Sequence, residues 1–141
     1  MEKSGTNEKV ADSGRKPRDV FAHSTLLNEI LRLIGARPDC RVWKNATGAA
    51  VSRTGSYVKF GKKGSADILG ITSDGRMFCV EVKTGQAVQT KEQKAFQNMI
   101  TKMGGRYFLA RNSQSVVQFL DELNLAKVDF RHDSLGCKTD Q

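Results

Sequence analysis

The sequence predicts an α/β sandwich with a central mixed sheet and the element order α-β-β-β-(β)-α-β-α. Three observations predict it. Apolar residues recur with helical period in three separate stretches, around Leu27–Ile34, Ala95–Met103 and Val116–Leu123. Short runs rich in β-branched and aromatic residues lie between them. Two of those runs flank Asp74-Gly75, a strong signal for a hairpin. At 141 residues and 15.6 kDa the chain has the length of one domain and can build a core without disulfides or metals.

Residues 1–19 are polar, mixed in charge and nearly free of large apolar side chains, the composition of a disordered arm. A helix is expected over Ser24–Ile34, because Leu27, Ile30, Leu31 and Ile34 fall at i, i+3, i+4 and i+7. Gly35 and Pro38 end it. Cys40–Trp43 reads as a short strand, Thr47–Gly55 as a loop and Tyr57–Phe60 as a strand. The turn Gly61-Lys62-Lys63-Gly64 follows, then strands over Ala66–Thr72 and Met77–Lys83. Thr90-Lys91-Glu92-Gln93 has the pattern of a capping box and opens a helix to Met103, stopped by Gly104-Gly105. Its inward face is expected to carry Ala95, Phe96, Met99, Ile100 and Met103. Arg106–Ala110 is the last strand and Ser113–Leu125 the last helix, with Val116, Val117, Leu120 and Leu123 inward. The globular domain is thus expected over 20–126, with a loose polar tail over 127–141.

Lys and Arg number 23 and Asp and Glu 15, giving a net charge of +8 and a pI near 9.6. Such a balance points to a polyanionic partner, nucleic acid first, with membrane surfaces and acidic proteins as the alternatives. No apolar run approaches a membrane span, and the first residues lack the apolar core of a signal peptide, so a cytoplasmic protein is expected. Cys40, Cys79 and Cys137 are far apart, with no CxxC, which argues against zinc and fits a reducing compartment. His23 and His132 are isolated in sequence and suggest no histidine-metal site. Lys62 follows a glycine, but Ser56 stands where a phosphate-binding P-loop needs glycine, so no nucleotide cofactor is expected.

The chemistry concentrates in Asp67 and in Val80-Glu81-Val82-Lys83. Asp67 opens an apolar strand, and Glu81 and Lys83 interrupt the strand across the hairpin. Charges in a sheet cost several kcal/mol each, on the order of 5, unless paired or bound to an ion. Neighbouring carboxylates repel unless a divalent cation sits between them. Lys83 shares a strand face with Glu81, about 6.6 Å along it. A Glu81–Lys83 or Asp67–Lys83 ion pair on a solvated face would also explain the pattern. Ile68, Gly70, Val80 and Val82 make the other face apolar, while Lys59, Lys62 and Lys63 crowd the approach to Asp67. Acidic ligands ringed by basic residues are what hydrolysis of a phosphodiester needs. Parity adds a condition. A two-residue Asp74-Gly75 loop would pair Asp67 with Val82 and turn Glu81 to the opposite face. Convergence of the two carboxylates requires an odd-length connection or a bulge.

The stretch Gly64-Ser65-Ala66-Asp67-Ile68-Leu69-Gly70, followed by Val80-Glu81-Val82-Lys83-Thr84, resembles the VRR-NUC branch of the PD-(D/E)XK nuclease superfamily. Val42-Trp43-Lys44-Asn45 with Thr47-Gly48, Glu92-Gln93-Lys94-Ala95-Phe96 and Gly104-Gly105 extend the resemblance over Leu26–Arg111. The family often has proline where Ala66 stands. The resemblance implies a restriction-endonuclease-like fold and a metal-dependent DNA endonuclease. It implies that Asp67, Glu81 and the Val82 carbonyl hold Mg²⁺ or Mn²⁺, and that Lys83 orients the attacking water. A carboxylate on the first helix completes such sites; Glu29, acting through a water, is the first choice and Asp19 the competitor. Gln93 matches a recurrent glutamine and also explains itself as a helix cap. Lys44, Lys59, Lys62 and Lys63 are the expected DNA contacts.

Small stand-alone members of this branch resolve Holliday junctions as homodimers, often in phages, so branched DNA, a dimer and the cytoplasm of a bacterium or infected host are the implied setting. The Tyr57–Phe60 hairpin or the first helix would supply the dimer contact. Trp43 and Phe60 are expected in the core, whereas Tyr57 fits either the core or a base-stacking role. A catalytically inactive nuclease fold serving as an adaptor, and a purely electrostatic DNA-coating protein, are the competing functions.

Overall fold

A computed structural model describes residues 17–130. The expectations for residues 1–16 and 131–141, including Cys137 and His132, lie outside the described residues.

The described chain is a mixed α/β structure with three helices, one four-stranded mixed sheet and one two-stranded sheet. In order, these are α1 (Pro17–Gly35), β1 (Cys40–Lys44), β2 (Gly48–Val51), β3 (Tyr57–Phe60), β4 (Ile68–Thr72), β5 (Met77–Val82), α2 (Lys91–Lys102), β6 (Arg106–Ala110) and α3 (Ser113–Phe130). The main sheet runs β1-β4-β5-β6, antiparallel except for the parallel β5–β6 pair that α2 connects. Among the described residues no helix is long and apolar enough to cross a membrane.

Strand alternation divides the interior in two. Ile68, Phe78, Val80 and Val82 turn to one face, where Leu27, Ile30 and Ile34 of α1 and Val116, Leu120 and Leu123 of α3 cover them. Cys79 turns to the other face, with Ala66 and with Phe96 and Ile100 of α2. Ala95, Met99 and Met103 were expected inward but lie at the surface, because α2 packs a narrow stripe on β6. Cys40 and Cys79 are buried free thiols, both raised above the ordinary thiol range by burial, Cys79 to about 11.

Helix α1 begins at Pro17, ahead of the expected Ser24, so residues 17–19 belong to the helix and not to an arm. Proline suits the first helical turn, where its missing N–H is not needed, and Asp19 complements the helix dipole there. Likewise α3 continues to Phe130, past the expected end at Leu125. The segment Thr47–Gly55, expected as loop, contains β2, which pairs with β3 outside the main sheet. Trp43 and Phe60 were expected in the core and are 50% and 44% exposed. Trp43 shares a face with Leu69 but stands on the edge strand β1, away from α2, and Phe60 lies on the detached ribbon.

Candidate functional site

The β4–β5 connection determines which residues meet. Thr72 N–H donates to the Arg76 carbonyl (2.9 Å), and Gly75 N–H donates to Thr72 O (2.9 Å), so the loop is the three residues Ser73-Asp74-Gly75. Gly75 takes φ = 86°, the left-handed conformation such a loop requires. The odd count pairs Ile68 with Val80, and the next position faces Asp67 with Glu81. The parity condition is met without a bulge.

Strand β5 is an interior strand, and its end carries the charges. Glu81 is 1% exposed and Lys83 2%. Lys83 Nζ lies 3.0 Å from Glu81 Oε1 and donates to Gln93 Oε1 at 2.8 Å. Gln93 Nε2 donates in turn to Glu81 Oε1. Gln93 is also the third helical residue of α2, and its Oε1 accepts the Thr90 N–H (2.9 Å) while Thr90 Oγ1 accepts the Gln93 N–H (3.3 Å). Cap and site partner are therefore the same side chain. The solvated-face ion pair is replaced by a buried one. Tyr107 lies on the same sheet face, and burial, then the charge of Glu81, push its phenol well above the ordinary range and keep it protonated.

Asp67 sits just before β4 with its carboxylate at the sheet end. Its Oδ2 accepts the Val82 N–H (2.8 Å) and lies 3.3 Å from His23 Nε2 of α1. In an extended strand the N–H and C=O of one residue point to the same side, so the Val82 carbonyl is turned toward β4 as well. A cavity of about 300 Å³ opens here, lined by Asp19, His23, Val82, Lys83 and the loop Thr84–Ala87. Arg111 holds that loop by donating to the Gly85 and Ala87 carbonyls, both at 2.9 Å.

Asp67, Glu81, Val82, Lys83 and Gln93 thus come together, and Glu29 does not join them. Its Oε1 accepts the Ser113 hydroxyl (2.6 Å) and ties α1 to α3 at the surface. Helical geometry explains the difference: Asp19 and His23 are four residues apart and share a face, whereas Glu29 is six beyond His23, about 240° around the axis. The helix carboxylate lining the cavity is Asp19. His23, set aside in the sequence reading as partnerless, contacts Asp67 across 44 residues. Its i, i+4 spacing from Asp19 and from the core residue Leu27 was the available signal.

Among the described residues no group of three or more His, Cys, Asp and Glu side chains is arranged to hold a metal ion. Near the cavity stand the Asp67 carboxylate, the buried carboxylate of Glu81 at the opposite strand position and the Val82 carbonyl, all hard oxygen donors of the kind that suit a hard cation. Lys44, Lys59, Lys62 and Lys63 are all exposed on the stretch leading into Asp67. Lys63 Nζ contacts Glu92 Oε1 at 2.7 Å and holds that carboxyl down at about 2, which fastens the turn to α2. Gly64 is required at this junction: φ is +80°, and a Cβ would stand 2.5 Å from the Glu92 carbonyl.

No family model matches the chain, and no curated protein matches it significantly.

Proposed function

We propose that the chain is a divalent-metal-dependent DNA endonuclease of the VRR-NUC type, on a restriction-endonuclease-like fold, selective for branched DNA. One observation carries this reading: a buried Glu81–Lys83 pair on an interior strand, held by Gln93 and facing Asp67 beside a cavity. Such a pair is a poor stabiliser, since apolar replacements are often neutral or better, so its presence calls for a chemical use.

In this reading Asp67, Glu81 and the Val82 carbonyl would hold Mg²⁺ or Mn²⁺, with Asp19 in place of Glu29 as the helix carboxylate. When bound, the cation supplies Lewis acidity that activates water and neutralises charge on the phosphate. The other roles belong to the chain. An ammonium has three donors. Two of Lys83's are directed at Gln93 and Glu81, and at the cavity it can also donate to a phosphate oxygen or align a water. Gln93 keeps Glu81 and Lys83 in register with each other. His23 orients Asp67. The exposed lysines neutralise DNA phosphates, which gives affinity that falls steeply with salt. A junction-cutting enzyme acts on two strands related by a two-fold axis, so a C2 homodimer is part of the proposal; light scattering that finds only monomer at concentrations where junctions are cut would remove it.

That Asp19, Asp67 and Glu81 do not close into a three-ligand group in the arrangement described favours one second reading, an inactive nuclease fold that binds nucleic acid as an adaptor. Incubation with a labelled four-way junction and a linear duplex, in Mg²⁺, Mn²⁺ or EDTA, separates the two. Metal-dependent nicks that Glu81→Gln abolishes support the enzyme. Tight binding with no product in any metal supports the adaptor.

A further inference from the structure

The β2–β3 ribbon buries nothing: all eight of its strand residues are exposed. A two-stranded ribbon is at best marginal in water by itself, so its shape fits an element made to be covered. Its charge says by what. From Lys44 to Ala66 the chain has five Lys and Arg (Lys44, Arg53, Lys59, Lys62, Lys63) and no Asp or Glu. This stretch holds +5 of the chain's net +8. Its root is fastened beside the candidate site, since Asn45 Nδ2 donates to Ser65 Oγ (2.7 Å) and to the carbonyl of Ala66, the residue before Asp67.

The register separates two aromatic side chains. Gly48 pairs with Phe60, and a Cβ on Gly48 would lie 3.1 Å from the Phe60 ring, so that ring lies over the opposite strand. Val51 pairs with Tyr57 at the far end, next to the turn that carries Arg53. The turn is set by hydrogen bonds from Ser52 N–H to Ser56 O (2.7 Å) and from Gly55 N–H to Ser52 O (2.9 Å). Tyr57 is 66% exposed, and Lys59 Nζ lies 6.0 Å from its ring centroid. The tip is therefore an exposed aromatic ring with Lys59 beside it and Arg53 on the adjoining turn.

We propose that this tip reads broken base stacking, with Tyr57 stacking on a base face exposed at the branch point of a DNA junction and Arg53 and Lys59 gripping the flanking phosphates. Phosphates are common to all DNA and select nothing. In a linear duplex the base faces are already stacked on one another. Within a helix, an exposed ring on a cationic arm finds a π-face to cover only where stacking is interrupted, as at a branch point. Tyr57 is on this view a specificity-determining residue. The inference rests on the nucleic-acid part of the proposed function and not on hydrolysis.

Binding of the full chain in EDTA, to a four-way junction and to a linear duplex of equal length, tests it without turnover. Tyr57→Ala should weaken junction binding about tenfold and leave duplex binding within about twofold, and Tyr57→Phe should restore the preference. A 2-aminopurine at the branch should be quenched on binding the parent and Tyr57→Phe proteins, and much less on binding Tyr57→Ala. The ring is exposed, so thermal unfolding should be unchanged. An unchanged junction-to-duplex ratio in Tyr57→Ala overturns the proposal. So does a shift from dimer to monomer, which would assign the ribbon to a second copy of the chain. A parent that binds but cuts in no metal overturns the hydrolytic reading alone; a parent that binds neither DNA overturns both.

Discussion

Two regions of the molecule are rich in charge and treat it in opposite ways. At the end of β5 an anion and a cation are withdrawn from water and held by a third side chain. On the β2–β3 ribbon the cations stand in solvent, with no carboxylate on the same stretch of chain. Burial makes each interaction strong and each position exacting, as directed chemistry requires. Exposure makes each one weak, screened and replaceable, as sliding attachment to a polyanion requires. Residue type alone does not separate the two uses; the dielectric around the residue does.

The largest effects should come from splitting the buried pair. Lys83→Met or Glu81→Ala alone leaves one uncompensated buried ion and should cost about 3–5 kcal/mol in urea unfolding. The double replacement Glu81→Leu with Lys83→Met should recover most of that loss while cleavage stays absent. A single variant as stable as the parent would show that the pair is hydrated and that the contrast fails. Glu81→Gln keeps the shape and should abolish cleavage with DNA binding unchanged or slightly tighter, because a negative charge near the backbone is gone.

His23→Ala should lower cleavage about 10–100-fold by loosening Asp67, whereas Glu29→Ala should leave it near the parental rate. The reverse result would restore the helix carboxylate to Glu29. At the other end of the sheet, Arg37 clasps Asp39 with two bonds (2.9 and 2.8 Å) and reaches Asp121 (2.8 Å). The Arg37 hydrogen bond holds the Asp39 carboxyl below its ordinary range. A depressed carboxyl contributes stability above its unfolded value and loses it as pH falls through the folded one. Arg37→Met should therefore cost about 1 kcal/mol at pH 7 and progressively less below pH 4. Smallest in stability are Lys59→Ala and Lys62→Ala, within about 0.5 kcal/mol of the parent. Each should nonetheless reduce the slope of log binding constant against log salt by about one. A ribbon lysine whose loss leaves that slope unchanged makes no phosphate contact.

Much of the fold was legible because it is local. The capping box at Thr90, the Asp74-Gly75 hairpin and the helical stripe from Leu27 to Ile34 are each written within a dozen residues. Even the odd loop followed from asking how two carboxylates could face each other. What escaped was decided at a distance. Strand β2 is Gly-Ala-Ala-Val, with little strand preference of its own, and exists by pairing with β3. Exposure of Trp43 and Phe60 depends on where α2 and the main sheet stop, which alternation cannot report. His23 was missed because the helix start was placed seven residues late, which removed Asp19 and His23 from the face they share. The chemistry of Asp67, Glu81 and Lys83 stood out by the opposite logic, as charges where the pattern asks for apolar residues.

Gln93 is one amide serving the first turn of α2 and the buried ion pair together. Starting a helix is the unfavourable step in forming it, and here that step shares its hydrogen bonds with the charged residues of β5. The two cannot open separately, so the start of α2 and the end of β5 form one cooperative unit. Amide protons in the first turns of α2 should then exchange with solvent at a rate governed by Glu81 and Lys83. A ligand gripping either charge would be felt as slower exchange along a helix it never touches.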